Sequence, residues 1–356
     1  MLKTNTGNSS VLGVLMGGAG LFLIIAGMKL ASSILSPILL AVIIAISVTP
    51  LMDWFQRKGL SQGLSMLVTI VVLIVAIVAL IAVIGFSINQ VIVTLPQYAD
   101  GLQGQSDSLQ AYLASSGLDA DSVETAIQGT EPSKLLTYVG SLFGGVLGLL
   151  SGVVLMLMVL IFMLLSTPGL TSKMKTDFSQ NSPTMNRFRG LAKDLREYVS
   201  ITTMINLLVG VVNTVFLFIL GVDFPILWGL LAFLTGYIPS VGFWLALIPP
   251  AAMAFLEFGA TKALIVVIGY VVINGGVQNF LQPKLMGAGL NLSSLVVVLS
   301  LFFWGWVLGP MGALLAVPLT MIVKDVILDA YDDTRGLADL MSADSPSKPA
   351  PDDSAA

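Results

Sequence analysis

The sequence contains no cysteine and no histidine. The first absence excludes disulfides, thiolate nucleophiles and most zinc sites; together the two exclude haem ligation and serine–histidine chemistry. Lacking histidine, the chain also has no side chain of the usual kind for relaying protons near neutrality. Charge is scarce too, at 10% of residues against about 25% in a soluble domain. The net charge is −4 and no dense basic patch exists to neutralise phosphates, which argues against a nucleic-acid partner. No glycine-rich phosphate loop followed by Lys-Ser/Thr occurs, so direct driving by ATP is unsupported. The composition thus points away from enzymatic activity, and no metal or cofactor is expected.

What fills the space is apolar. Hydrophobic residues make up 56% of the chain and the mean hydropathy is +0.95. About 20 apolar residues cross a hydrocarbon core, and runs of that kind occur near 11–28, 34–52, 64–86, 139–165, 201–220, 225–255, 263–281 and 293–323. The expected fold is an all-α polytopic membrane protein of about eight spans in a lipid bilayer. The polar start, with only Lys3, does not read as a cleavable signal. Between the spans the charges separate by sign. The turn after the second span carries Arg57 and Lys58, and residues 167–200 carry Lys173, Lys175, Arg187, Arg189, Lys193 and Arg196. Residues 94–137 carry Asp100, Asp107, Asp119, Asp121, Glu124 and Glu131 against Lys134 alone. Bases stay cytoplasmic, so both termini are expected inside; Lys284 is the one base on the wrong side.

The domain plan follows from these patterns. Residues 1–10 form a cytoplasmic N-terminus, 11–93 three spans, and 94–137 a small helical extracytoplasmic insert. A glycine-rich fourth span at 138–166 leads to a basic amphipathic linker at 167–200 and a motif-rich membrane half at 201–324. The acidic tail at 325–356 has a composition that cannot bury a core and is expected to be disordered. In the fourth span Gly140, Gly144, Gly148 and Gly152 recur every four residues, a stripe that lets another helix backbone approach closely.

The sixth run holds Gly236-Tyr237-Ile238-Pro239-Ser240-Val241-Gly242 at its centre, with no charged residue from Phe224 to Leu256. Glycine and proline are poor continuations of a helix, and a freed carbonyl in hydrocarbon costs several kcal/mol unless protein or water satisfies it. This is either a packing kink or a binding site of the broken-helix type. The eighth run resembles it, with Gly305, Gly309, Pro310 and Gly312 near the middle and Pro318 toward the end. Amides gather nearby. Asn206 and Asn213 share one helical face; Asn274, Gln278 and Gln282 recur every four residues, with Asn279 alongside. They serve either as interhelical hydrogen bonds or as the lining of a path for a neutral polar solute. Ionisable residues sit only at the span ends, which excludes an intramembrane aspartyl protease and disfavours proton coupling. A sodium ion held by unwound carbonyls needs no carboxylate.

Three stretches carry a family resemblance: Tyr-Ile-Pro-Ser-Val-Gly at 237–242, Leu-Gln-Pro-Lys-Leu-Met-Gly at 281–287, and Trp-Gly-Trp-Val-Leu-Gly-Pro-Met-Gly-Ala-Leu-Leu-Ala-Val-Pro-Leu at 304–319. Together with the order of spans, they resemble the autoinducer-2 exporter family of bacterial transporters over roughly residues 12–331. The resemblance implies a multipass inner-membrane homo-oligomer that exports a small polar signal of quorum sensing or exchanges sodium or lithium for protons. Much of that family carries an acid before the Pro-Lys motif, where this chain has Gln278 and Asn279, a departure that weighs against cation antiport. The expected site comprises Gly236, Tyr237, Pro239, Ser240, Gly242, Asn206, Asn213, Asn274, Gln278, Asn279, Pro283, Gly305, Gly309, Pro310 and Gly312. The expected function is export of a small polar organic solute resembling autoinducer-2. The alternatives are sodium or lithium/proton antiport and a non-transporting scaffold.

Overall fold

The computed structural model describes residues 7–115, 152–177, 183–286, 292–329 and 332–342, nearly all of them helical. In chain order the helices are α1 (Gly7–Leu30), α2 (Ser32–Arg57), α3 (Gln62–Ser115), α4 (Val153–Asp177) and α5 (Pro183–Leu220). There follow α6 (Pro225–Thr235), α7 (Val241–Phe258), α8 (Ala260–Gly276), α9 (Gln282–Met286), α10 (Ser294–Leu308), α11 (Pro310–Leu314), α12 (Ala316–Ile322) and α13 (Asp332–Met341). Two π-helical stretches, Val277–Leu281 and Val323–Leu328, interrupt the later part. Among the described residues, four segments are long and apolar enough to cross a membrane: Ser32–Arg57, Gln62–Ser87, Met185–Leu220 and Val241–Phe258. Five shorter apolar helices accompany them. The chain is an all-α polytopic membrane protein.

Two boundaries differ from those drawn on polarity. The helix of the third span does not end with the span: α3 runs for 54 residues, on the order of 80 Å at 1.5 Å per residue, against a hydrocarbon core of about 30 Å. The first part of the acidic insert thus continues the same helix beyond the span Gln62–Ser87, and the remainder lies outside the described residues. Likewise the basic stretch from Met185 and the fifth span form one 38-residue helix, α5. In both places polarity changes while the helix goes on: no residue at the α5 junction removes a backbone donor, and in α3 the helix continues past Pro96, which lacks an N–H. The tail also departs from expectation, because α13 is helical and ordered against the chain. Ala338 is buried and the Ser293 N–H donates to the Met341 carbonyl at 2.8 Å.

The glycine stripe lies outside the described residues except for Gly152. A Cβ there would collide with the ring of Pro37, so this glycine admits α2 against the start of α4. Ala41 and Ala45 continue the close contact, packing with Met156, Leu160 and Leu164. That core joins the N-terminal helices. A second core joins Trp228, Leu231, Leu247, Met253 and Tyr270.

The two overlong apolar runs do not cross from side to side as single helices. Each turns back on itself. The first forms a hairpin of α6 and α7. At its open end the Asp223 N–H donates to the Glu257 carboxylate at 3.3 Å, so the run leaves beside the point where it starts. The second forms a hairpin of α10 with α11 and α12. Trp304 Nε1 donates to Thr320 Oγ1 across it at 3.0 Å, and Leu292, Val317 and Met321 share one cluster at its open end. Each broken run is therefore a helical hairpin.

Candidate functional site

The tip of the first hairpin is built by the residues that stop its helix. The α6 ladder closes with Gly236 N–H donating to Ala232 at 3.0 Å, and Ile238 N–H turns back to Thr235 at 2.8 Å. Pro239 has no donor to give. Val241 N–H then reaches the Pro239 carbonyl at 2.6 Å around Ser240, whose φ of 62° and ψ of −46° form a tight turn of the left-handed kind. Only two described residues other than glycine have positive φ, Phe224 and Ser240. A strained residue of this sort survives where its surroundings over-determine it, and such positions cluster at ligand sites. Gly242 N–H resumes the helix by donating to Ile238 at 3.0 Å. A Cβ on Gly242 would overlap the Thr235 carbonyl, so glycine is what lets the two arms close.

Beside this tip lies a cavity of about 470 Å³. Gly236, Tyr237, Pro239, Ser240 and Gly242 form one wall, and Asn206 of α5 and Asn274 of α8 another. Seven expected residues are therefore brought together. Asn206 lies against Gly236 so closely that a Cβ there would come within 2.5 Å of its Oδ1, 2.6 Å of Cγ and 2.9 Å of Nδ2. Its Nδ2 is buried with no hydrogen-bond partner. Asn274 instead donates to the Tyr270 carbonyl at 2.9 Å. Tyr237 is braced: its hydroxyl donates to Thr203 Oγ1 at 2.7 Å, which in turn donates to the Val199 carbonyl at 2.6 Å.

The remaining expected residues divide. Asn213 is fully buried, with both amide atoms unpartnered, and does not line the cavity. It lies between the level of Asn206 and the level where Phe216 packs on Gly269, as does Tyr270, whose hydroxyl is also unpartnered. Gln278 and Asn279 fall in the π-helical stretch and Pro283 in α9; their side chains lie outside the described residues. Gly305, Gly309, Pro310 and Gly312 belong to the second hairpin and do not line this cavity. Gly309 makes the turn at φ 70°, and a Cβ on Gly312 would overlap the Trp304 carbonyl. Leu308 and Leu315 of that tip share an apolar cluster with Ile43, Leu301 and Val307, while Pro310 is exposed and Met311 and Leu314 border a separate, apolar cavity.

Four further polar residues border the cavity: Tyr198, Thr202, Gln282 and Ser294. Tyr198 and Thr202 stand eight and four residues before Asn206, on its helical face. The spacing was available in the sequence, but a domain boundary drawn at residue 200 set Tyr198 apart from the span. Among the described residues no group of three or more acidic, histidine or cysteine side chains is placed to hold a metal ion. The arrangement offers a partly polar chamber with an amide donor, hydroxyls and backbone at a broken helix, suited to reversible hydrogen bonding.

Comparison with known proteins agrees with this architecture. A family model described as AI-2E family transporter matches residues 19–332. The AI-2 transport protein TqsA of Escherichia coli K12 is 35% identical over 90% of this chain and 93% of its own length. The putative transport protein YhhT of the same organism is 32% identical over 87% of this chain and 89% of its own. A putative transport protein of Haemophilus influenzae is 32% identical over 92% and 95%. A match spanning the N-terminal helices, both hairpins and the cavity between them places this chain in the AI-2E transporter family.

Proposed function

We propose that this transporter exports a small, neutral, polar organic solute resembling autoinducer-2, and that the cavity at the first hairpin tip is where the solute binds. The observation that carries the reading is the Asn206 amide, buried at the cavity wall with an unpaired Nδ2. A donor left unpaired in a low-dielectric interior costs about 1–3 kcal/mol, and an oxygen-bearing solute removes that cost on binding. The cavity of about 470 Å³ falls within the usual range for small-molecule sites. The name of the TqsA relative supports the cargo class.

On this reading the protein works as a secondary transporter in the bacterial inner membrane, with both termini cytoplasmic, and as a homo-oligomer. Alternating access moves the solute without nucleotide hydrolysis. Sodium or lithium/proton antiport finds less support, because no carboxylate is among the described residues that line the cavity. Vesicles reconstituted with the full chain and preloaded with labelled autoinducer-2 provide the test. Saturable, protein-dependent efflux that Asn206→Leu reduces supports the proposal. Sodium-driven proton movement with no solute efflux overturns it.

A further inference from the structure

A second, larger cavity of about 660 Å³ lies between the N-terminal helices and both hairpins. Its walls come from one face of α2, from Leu73, Ile77, Leu80 and Ile84 of α3, and from Met204 and Leu207 of α5. Apolar side chains dominate this lining. Four of the five hydroxyls on it are committed: Ser47 donates to the Ile43 carbonyl at 2.7 Å, Thr203 to Val199 at 2.6 Å and Tyr237 to Thr203 at 2.7 Å, while Tyr198 is paired with Thr202; the fifth, on Ser200, belongs to an exposed residue. Water confined here would lack the two to four polar partners that an ordered water needs. Left empty, the chamber would forfeit the dispersion contacts of every side chain around it.

We infer that this chamber binds one acyl chain of a membrane lipid. The size fits: a cavity of ~150 Å³ takes one benzene, so about 660 Å³ holds on the order of twenty carbon atoms, the scale of one chain. The mouth is also in the right place. Met204 and Leu207 are 52% and 55% exposed, and they continue into the exposed apolar residues Leu208, Val211 and Val215 of α5. On α3, Leu67, Val71, Val75 and Val78 face outward while the chamber residues face in. The chamber thus opens onto surface that lipid tails already cover in a bilayer. Tyr198 and Tyr237 border both cavities, so an acyl chain in the apolar chamber supports from behind the wall that carries the hairpin tip. The solute reading is not needed for any step of this inference.

The test places the full chain in vesicles of phosphatidylethanolamine and phosphatidylglycerol. A tracer phosphatidylethanolamine carries a photoactivatable diazirine near the end of one acyl chain. Residue-level mapping after irradiation should find labels on Ile44, Ile77 and Leu80 as well as on outward Val75. Ala76 lines the chamber, and Ala76→Trp should cut the chamber labels several-fold; Val75→Trp should leave them unchanged. Labels confined to outward positions in the unaltered protein would overturn the inference whether or not either variant folds. Chamber labels that do not respond to Ala76→Trp in a folded protein would also overturn it. So would crosslinks that place a second copy of this chain against Ile77.

Discussion

The two hairpins are made by the same local chemistry and end in different surroundings. In each, glycine and proline break an apolar run, and a second glycine lets the returning arm press against a backbone carbonyl: Gly242 on Thr235, Gly312 on Trp304. Each is braced by an aromatic donor on a threonine hydroxyl that itself donates four residues back. In the first the series is Tyr237, Thr203, Val199; in the second it is Trp304, Thr320, Ala316. The second tip is then finished. Ser36 Oγ donates to the Leu308 carbonyl at 3.3 Å, and the open volume beside Met311 and Leu314 is lined mainly by apolar side chains. At the first, Asn206 keeps an unpaired buried donor beside open volume. A broken helix in a membrane is therefore not by itself a site. What marks the site is the polar capacity that the fold leaves unspent next to it.

Substitutions that fill the glycine contacts should erase the distinction by damaging both hairpins. Gly242→Val and Gly312→Val are each expected to cost about 3 kcal/mol, the upper end of overpacking penalties, measured by thermal unfolding in detergent. Asn206→Leu should separate the two regions. It removes a buried unpaired amide, so the protein should gain about 1 kcal/mol of stability. It should also lose about tenfold in solute affinity, the equivalent of one hydrogen bond of ~1.4 kcal/mol. The brace pair sharpens the contrast. Tyr237→Phe and Trp304→Phe each delete one hydrogen bond worth about 0.5–1.5 kcal/mol. Transport per folded molecule should fall only for Tyr237→Phe.

The smallest effect concerns the open end of the second hairpin. Burial holds the Asp325 carboxyl above the usual range, Lys324 partly offsets this, and Asp329 and Asp194 add to it. The charged form is thus disfavoured in the fold. Stability is greatest below the unfolded pKa and declines as pH rises through the raised folded value. Asp325→Asn should melt slightly higher than the parent at neutral pH, with the gap closing in acid.

Much of this was legible because it is local. Pro239 without an N–H and Gly309 at positive φ announce their breaks wherever they sit, and the spacing of Asn206 along α5 placed it on an inward face. The fold-back of the sixth run was not legible because hydropathy counts apolar residues and carries no direction; the Asp223–Glu257 contact that shows it joins residues 34 apart in sequence. Asn213 shares the face of Asn206, yet the Phe216–Gly269 contact closes the helices at its level and leaves it inside the packing. Tyr198 was missed because a change of polarity was taken for the end of a helix; Thr202, inside the expected span, was passed over because the amides alone were taken as its polar face. The second break carries the same residues as the first, and only tertiary packing tells them apart.

The absence of cysteine makes the decisive measurement direct, since any introduced thiol is the only one present. Ser240→Cys and Met311→Cys place that thiol at the first and second hairpin tips, and its reaction with a membrane-permeant maleimide is followed with and without autoinducer-2. The account predicts that solute slows labelling at residue 240 and leaves residue 311 unchanged. Protection at 311, or none at 240, would contradict it.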